Sequence, residues 1–179
     1  MKTVLAFGAS TSSTSINARL AKFAADELKA SKEVEVIFID LNDFEMPIFS
    51  VDRSKRGIPE PAVRFKELVR KSDLIVISFA EHNGSYSAAF KNIFDWASRI
   101  EKSMWLQKSM FLLATSPGAR GARSVLEQAV NRFPYMDGQV IANYSLPKFY
   151  ENFDQEAGIT DPELRAGFQE QLALASAQL

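Results

Sequence analysis

Cysteine is absent from the 179-residue chain, and histidine occurs once, at His82. The missing cysteine excludes disulfides, thiolate metal ligands and a cysteine nucleophile, and it fits a reducing compartment. Together the two shortages argue against a zinc or iron centre, whose ligands are chiefly cysteine and histidine. An excess of one charge sign is lacking too. The net charge is −1, so a grip on nucleic acid would need a local basic surface. No apolar run approaches the length of a membrane span, and the one in MKTVLAFGAS is too short for a secretory signal. We therefore expect a cytoplasmic protein with no nucleic-acid and no membrane partner. The G-x-S-x-G elbow, the Walker A lysine and the G-x-G-x-x-G fingerprint are also missing. A hydrolase built on Ser10 or Ser85 would have only His82 as its histidine base, which makes that reading unattractive.

What is present is ordinary globular material. Hydrophobic residues make up 46% and charged residues 24%, in a length that suits one domain with its own core. Thr3 to Phe7 is β-rich and ends at Gly8, so it reads as a strand. Val34 to Ile39, Leu74 to Phe79, Met110 to Ala114 and Gln139 to Tyr144 read as four more. Between them run helical stripes. Ile16, Leu20, Phe23, Ala24 and Leu28 follow a capping Ser15. Ala62, Phe65, Leu68 and Val69 follow Pro59 and Pro61. Phe90, Ile93, Phe94 and Ala97 form a third stripe, and Val125, Leu126, Ala129, Val130 and Phe133 a fourth. An irregular segment follows about residue 145, then a helix from Asp161 or Pro162 to near Ala177. Apolar strands alternating with helices predict a parallel sheet covered on both faces. We expect one domain over residues 1–179.

Three loops follow strands at the positions where a parallel sheet places a ligand. Gly8 to Thr14 is almost wholly small or hydroxylated. At a helix N-terminus such a loop offers free N–H groups and hydroxyl donors to a phosphate that is held, not transferred. It also suits a simple cap and turn. Ala80 to Ser85 is polar, contains glycine and carries His82. Ser116 to Gly121 contains a Pro117–Gly118 turn.

The segment AEHNGSYSAAFKNIFDW, residues 80–96, resembles the second flavin loop of the NADPH-dependent FMN reductase family. These are small flavodoxin-like proteins that include azo-dye and quinone reductases. ASTSSTSIN at residues 9–17 and SPGAR at 116–120 look similar to that family's first and third loops, and the resemblance runs from Lys2 to about Tyr144. It implies an α/β three-layer sandwich around a five-stranded parallel sheet of order 2-1-3-4-5. It also implies FMN bound non-covalently, NADPH or NADH as donor, a small-molecule acceptor such as a flavin, quinone or azo compound, and a homodimer or homotetramer. Cofactor-binding roles fall on Ser10, Ser12, Ser15 and Asn17, on Ala80, Glu81, His82, Asn83 and Gly84, and on Ser116, Pro117, Gly118 and Gly121. No side chain need act as a covalent catalyst, because the chemistry belongs to the flavin N5.

The chain departs from the family pattern at several points. Ser12 stands where an arginine is usual, Ala9 and Thr14 where glycine is usual, Ala80 for proline and His82 for tyrosine. Without the arginine one charge-assisted contact is lost, so we expect weaker FMN retention or a different electron donor. His82 is open between tuning the ring and being an exposed residue with no role. Arg120 reads as a surface residue, and Arg53, Lys55 and Arg56 as a weak rim for a second nucleotide. The region from Ser87 to Trp105 is the candidate subunit interface. Two other functions fit the same residues: an electron carrier without its own nicotinamide site, and a sensor or scaffold that is not an enzyme.

Overall fold

Burial on both faces explains the apolar runs. β1 (Lys2–Ala9) is buried from Val4 to Ala9, with Leu5, Phe7 and Ala9 in one core and Val4 and Ala6 in the other. In the computed structural model, which describes residues Met1–Leu179, β1 leads into α1 (Ile16–Ser31) and β2 (Val34–Phe38). A 3-10 turn (Leu41–Phe44), the single-turn α2 (Val51–Ser54) and α3 (Glu60–Lys71) precede β3 (Leu74–Phe79). A two-stranded hairpin, β4 (Glu81–His82) and β5 (Ser85–Tyr86), comes before α4 (Ala88–Ala97) and β6 (Ser109–Thr115). Then follow α5 (Arg123–Arg132), a 3-10 turn (Phe133–Met136) and β7 (Gln139–Leu146). The chain ends in α6 (Phe149–Asn152), the hairpin β8 (Phe153–Asp154) and β9 (Gly158–Ile159), and α7 (Pro162–Ser176).

The main sheet has five parallel strands in the order β2-β1-β3-β6-β7. In strand rank that is 2-1-3-4-5, the flavodoxin-like order expected from the resemblance. α1 and α7 cover one face, where Leu20, Leu28, Phe111 and Phe168 pack together. α3, α4 and α5 cover the other, where Phe65, Phe90, Trp105 and Phe133 meet. Trp105 and Phe133 lie 4.6 Å apart between ring centroids, and both are fully buried. Burying such rings is the largest single source of hydrophobic stabilisation available to a chain of this size.

Two local details differ from the sequence reading. β1 runs through Gly8 and Ala9, because pairing with β3 continues to Gly8↔Ser78 and Ala9↔Phe79. Residues 80–86 are not an open loop. Asn83 (φ 53) and Gly84 (φ 77) are both left-handed, the geometry of the tight turn that matches hairpin twist. Both tryptophans are interior: Trp105 is in the core, and Trp96 is buried with its Nε1 donating to Pro47 O at 2.7 Å. The region from Ser87 to Trp105 therefore presents neither tryptophan to a partner. Lys66 is the only charged residue that is buried. Its Nζ donates to Ser103 O (2.6 Å) and Met104 O (2.5 Å) and lies 3.2 Å from Glu101, which fixes the segment entering β6. Burial pushes its pKa down, against the pull of Glu101.

Candidate functional site

β2 lies on one side of β1 and β3 on the other, so the chain reverses its winding direction between β1 and β3. Ligands in open parallel sheets sit outside the carboxyl ends of the strands at such a point. A cavity of about 220 Å³ lies there, lined by Ser10, Ser12 and Thr14 to Asn17 after β1, by Ala80 and Glu81 after β3, and by Thr115 to Pro117 after β6. The three loops singled out in the sequence thus converge on one place.

Gly8 makes the first loop possible. A Cβ there would lie 2.4 Å from the backbone nitrogen of Ala18, so only glycine lets α1 start directly against β1. Ser15 caps α1, its Oγ accepting from Ala18 N at 3.1 Å. Ser10 Oγ accepts from Ser12 N, and Ser12 Oγ accepts from Thr14 N. These internal bonds shape the loop and leave other donors free. The N–H groups of Thr11, Ser13, Ile16 and Asn17 have no partner within the chain, nor do those of Ala80 and Ser116. Unbonded N–H groups at a helix N-terminus form an anion-binding cup.

Asn17 and Glu81 line the cavity but spend their side chains on the frame. Asn17 Oδ1 accepts from Ser78 Oγ (2.7 Å) and Thr115 N (3.1 Å), and its Nδ2 donates to Thr115 O (3.1 Å). Glu81 accepts from Val125 N at 3.0 Å, capping α5, whose own N-cap residue, Ala122, supplies no side-chain bond. The third loop is clamped from behind. Gly118 O accepts from Lys148 N, and Ser116 O accepts from Phe149 N. Gly121 (φ 58) is required there, since a Cβ would lie 2.4 Å from Ser145 Oγ.

His82, Asn83 and Gly84 are exposed on the hairpin and do not line the cavity; nor do Gly118 and Gly121. Arg120 is exposed and donates to Ser124 Oγ at 2.9 Å. Four residues beyond the sequence-derived set belong to the lining: Thr14 and Ile16 in the first loop, and Thr115 and Tyr150 outside it. Thr115 ends β6, and Tyr150 projects from α6, 69% exposed. The polar Thr115 closing an otherwise apolar run was a readable signal; nothing near Tyr150 announced its position. Among the lining residues only Glu81 carries a charge, so the cup presents neutral donors alone.

The matched family model is that of the NADPH-dependent FMN reductases, over residues 2–151. The chain belongs to this family. It is 32% identical over 123 residues to an NADPH:quinone oxidoreductase of Arabidopsis thaliana, matching 68% of this chain and 61% of that protein. It is 26% identical over 137 residues to an NAD(P)H-dependent FMN reductase of Pseudomonas aeruginosa, covering 75% and 74% of the two chains. The solved structure of a flavoenzyme NAD(P)H:(acceptor) oxidoreductase from Paracoccus denitrificans superposes with a TM-score of 0.76 at 25% identity. That match covers 99% of this chain and 97% of the other. Against the Arabidopsis protein, the matched part of the chain spans about three fifths of the relative's length.

Proposed function

We propose that the chain is an FMN-binding oxidoreductase that takes reducing equivalents from NADPH or NADH and passes them to a flavin, quinone or azo compound. The convergence of three loops on one cavity with unbonded N–H groups carries the reading. The donor set fits FMN: a phosphate monoester suits the unbonded Ile16 and Asn17 N–H groups that line the cavity, with the Ser12 and Thr14 hydroxyls beside them. Ala80 and Ser116 N–H groups would meet the polar edge of the ring system, and Tyr150 would cover its approach. When bound, the flavin ring supplies hydride acceptance and donation. The protein's part is to hold and orient it, which asks no side chain to act as nucleophile or general base.

Membership of the family supports this reading, and the Arabidopsis and Pseudomonas relatives are reductases of the same class. Assembly as a homodimer or homotetramer belongs to the same proposal. Ile48 and Val51, 75% and 64% exposed, stand beside α4, where Asn92 Oδ1 accepts from Phe49 N and Asn92 Nδ2 donates to Met46 O. Such an exposed apolar pair on a pinned segment is a candidate contact. The deciding experiment is anaerobic. The protein is loaded with one equivalent of FMN, freed of unbound flavin, and its visible spectrum is recorded before and after NADPH. Retained colour that bleaches at once is the expected result. Colour that persists under both NADPH and NADH would identify an electron carrier instead.

A further inference from the structure

Two tyrosines stand out from the surface, Tyr135 at 83% and Tyr150 at 69% exposed. Tyr135 lies in the turn before β7, at the amino end of the sheet, whereas Tyr150 lines the three-loop cavity. That cavity measures about 220 Å³. Sites that enclose a whole small-molecule ligand measure about 300–1,000 Å³. A ligand whose phosphate sits at the Ile16 and Asn17 N–H groups therefore carries its remaining bulk out to the mouth, where Tyr150 stands.

The Tyr150 ring is exposed, yet its mount is firm. The neighbouring Phe149 is the anchor, fully buried and stacked on Phe153 with 4.7 Å between centroids and 18° between planes. Tyr150 meets Phe149 edge-on, at 5.7 Å and 86°. The Arg19 guanidinium lies 5.7 Å from the centre of the same Phe149 ring. The backbone registers this unit on the third loop: Lys148 N donates to Gly118 O at 3.0 Å, and Phe149 N to Ser116 O at 3.1 Å. Asn152 Nδ2 donates to Pro147 O at 3.0 Å and braces the turn. Tyr150 thus keeps a set place beside Ser116 and Pro117, which line the cavity with it. A flat side chain with two rotatable bonds, already placed, meets a flat partner at small entropic cost.

Tyr150 is also the only aromatic residue of the lining, the others being small, polar or aliphatic. N–H groups such as those of Ala80 and Ser116 can meet the edge of a ring system, but they offer no wall to its face. Resting on the flavin reading of the cavity, we infer that Tyr150 is the residue that grips the isoalloxazine, its ring packing on the face of the flavin ring. The exposed phenol ring then loses its contact with water, and two flat π-systems cover one another. This contact belongs to the ring alone, so FMN and riboflavin share it.

The test is calorimetric titration of the purified protein, and of its Tyr150→Phe and Tyr150→Ala variants, with FMN and riboflavin, followed by the fluorescence of the bound FMN. Tyr150→Ala should weaken both flavins by the same factor, at least about fivefold, the loss expected for one aromatic stacking contact. Tyr150→Phe keeps the ring and should hold both affinities within about twofold. Its bound FMN should nevertheless be brighter than that of the parent. A phenol in ring contact quenches the excited flavin by passing it an electron that then returns, and a phenyl ring is too hard to oxidise to do so. Unchanged flavin binding in Tyr150→Ala would overturn the inference and leave the FMN reading intact, as would equal brightness of FMN bound to the parent and to Tyr150→Phe. A loss in Tyr150→Phe confined to FMN would also overturn it, and would assign the hydroxyl to the phosphate. If the parent binds neither flavin, the flavin reading itself fails and the inference falls with it.

Discussion

Asn17 and Thr115 are joined by two hydrogen bonds, with the Asn17 carboxamide imitating a strand against the Thr115 backbone. Nδ2 donates to Thr115 O and Oδ1 accepts from Thr115 N, both at 3.1 Å. The first turn of α1 is thereby locked to the end of β6, 98 residues away in sequence. Ser78 Oγ, also held by Asn17, ties in β3.

Asn17→Ala should cost about 2–4 kcal/mol, because it strands the buried Thr115 N–H and Ser78 hydroxyl. A urea titration followed by tryptophan fluorescence will show it as a lowered midpoint with unchanged slope. The loss should exceed that of Ser12→Ala, whose side chain is exposed.

Ser12→Arg should tighten FMN by about tenfold at low ionic strength and leave riboflavin unchanged, since it adds a cation to a cup that has none. The gain should shrink as salt rises. FMN binding by the parent should vary little with salt, because no cationic side chain lines its cavity. Equilibrium titrations at low and high NaCl separate the two behaviours.

Glu81→Ala should destabilise the protein by about 1 kcal/mol through loss of the α5 cap, and Glu81→Gln by less, since it keeps an acceptor for Val125 N. FMN affinity should fall in the same order, because the cap also positions the peptide after β3. An affinity loss in Glu81→Gln as large as in Glu81→Ala would instead place the carboxylate charge in ligand binding.

Asp73 accepts from Thr3 N at 2.8 Å and pairs with Lys2 at 3.3 Å. The Thr3 bond first, and Lys2 after it, hold its pKa below the ordinary 3.8, despite partial burial. A depressed carboxyl contributes stability that is fully present above its unfolded pKa and is lost as pH falls through the folded one. Relative to Asp73→Asn, the parent should therefore lose stability on acidification below about pH 4, while the difference between them stays constant near neutrality. Urea midpoints of both proteins across that range will measure it.

The strands and main helices were legible because burial on both faces leaves continuous apolar runs and one-sided helices leave stripes. β1 was read short, since Gly8 looks like a loop until its pairing with Ser78 is seen. The hairpin at 81–86 was missed although Asn83–Gly84 is a strong turn signal, because each strand is only two residues long. The three loops of the candidate site were legible as loops. The use of their side chains was not. Asn17, Ser15 and Glu81 read as ligand contacts, yet their polar atoms are bonded to Thr115, Ala18 and Val125. The bonds of Asn17 and Glu81 join positions far apart in sequence, and local pattern carries no trace of them. Tyr150 reaches the cavity only because Lys148 turns the chain with a left-handed φ of 48.

This division of labour has an evolutionary consequence. The side chains that tie the loops to distant strands and helices face inward, whereas Ser12, Thr14 and Tyr150 line the cavity from exposed positions, and the Ser12 and Thr14 side chains bond only within their own loop. Mutations at those three positions can explore new cofactors or acceptors at almost no cost in folding. The frame can therefore stay constant while specificity drifts.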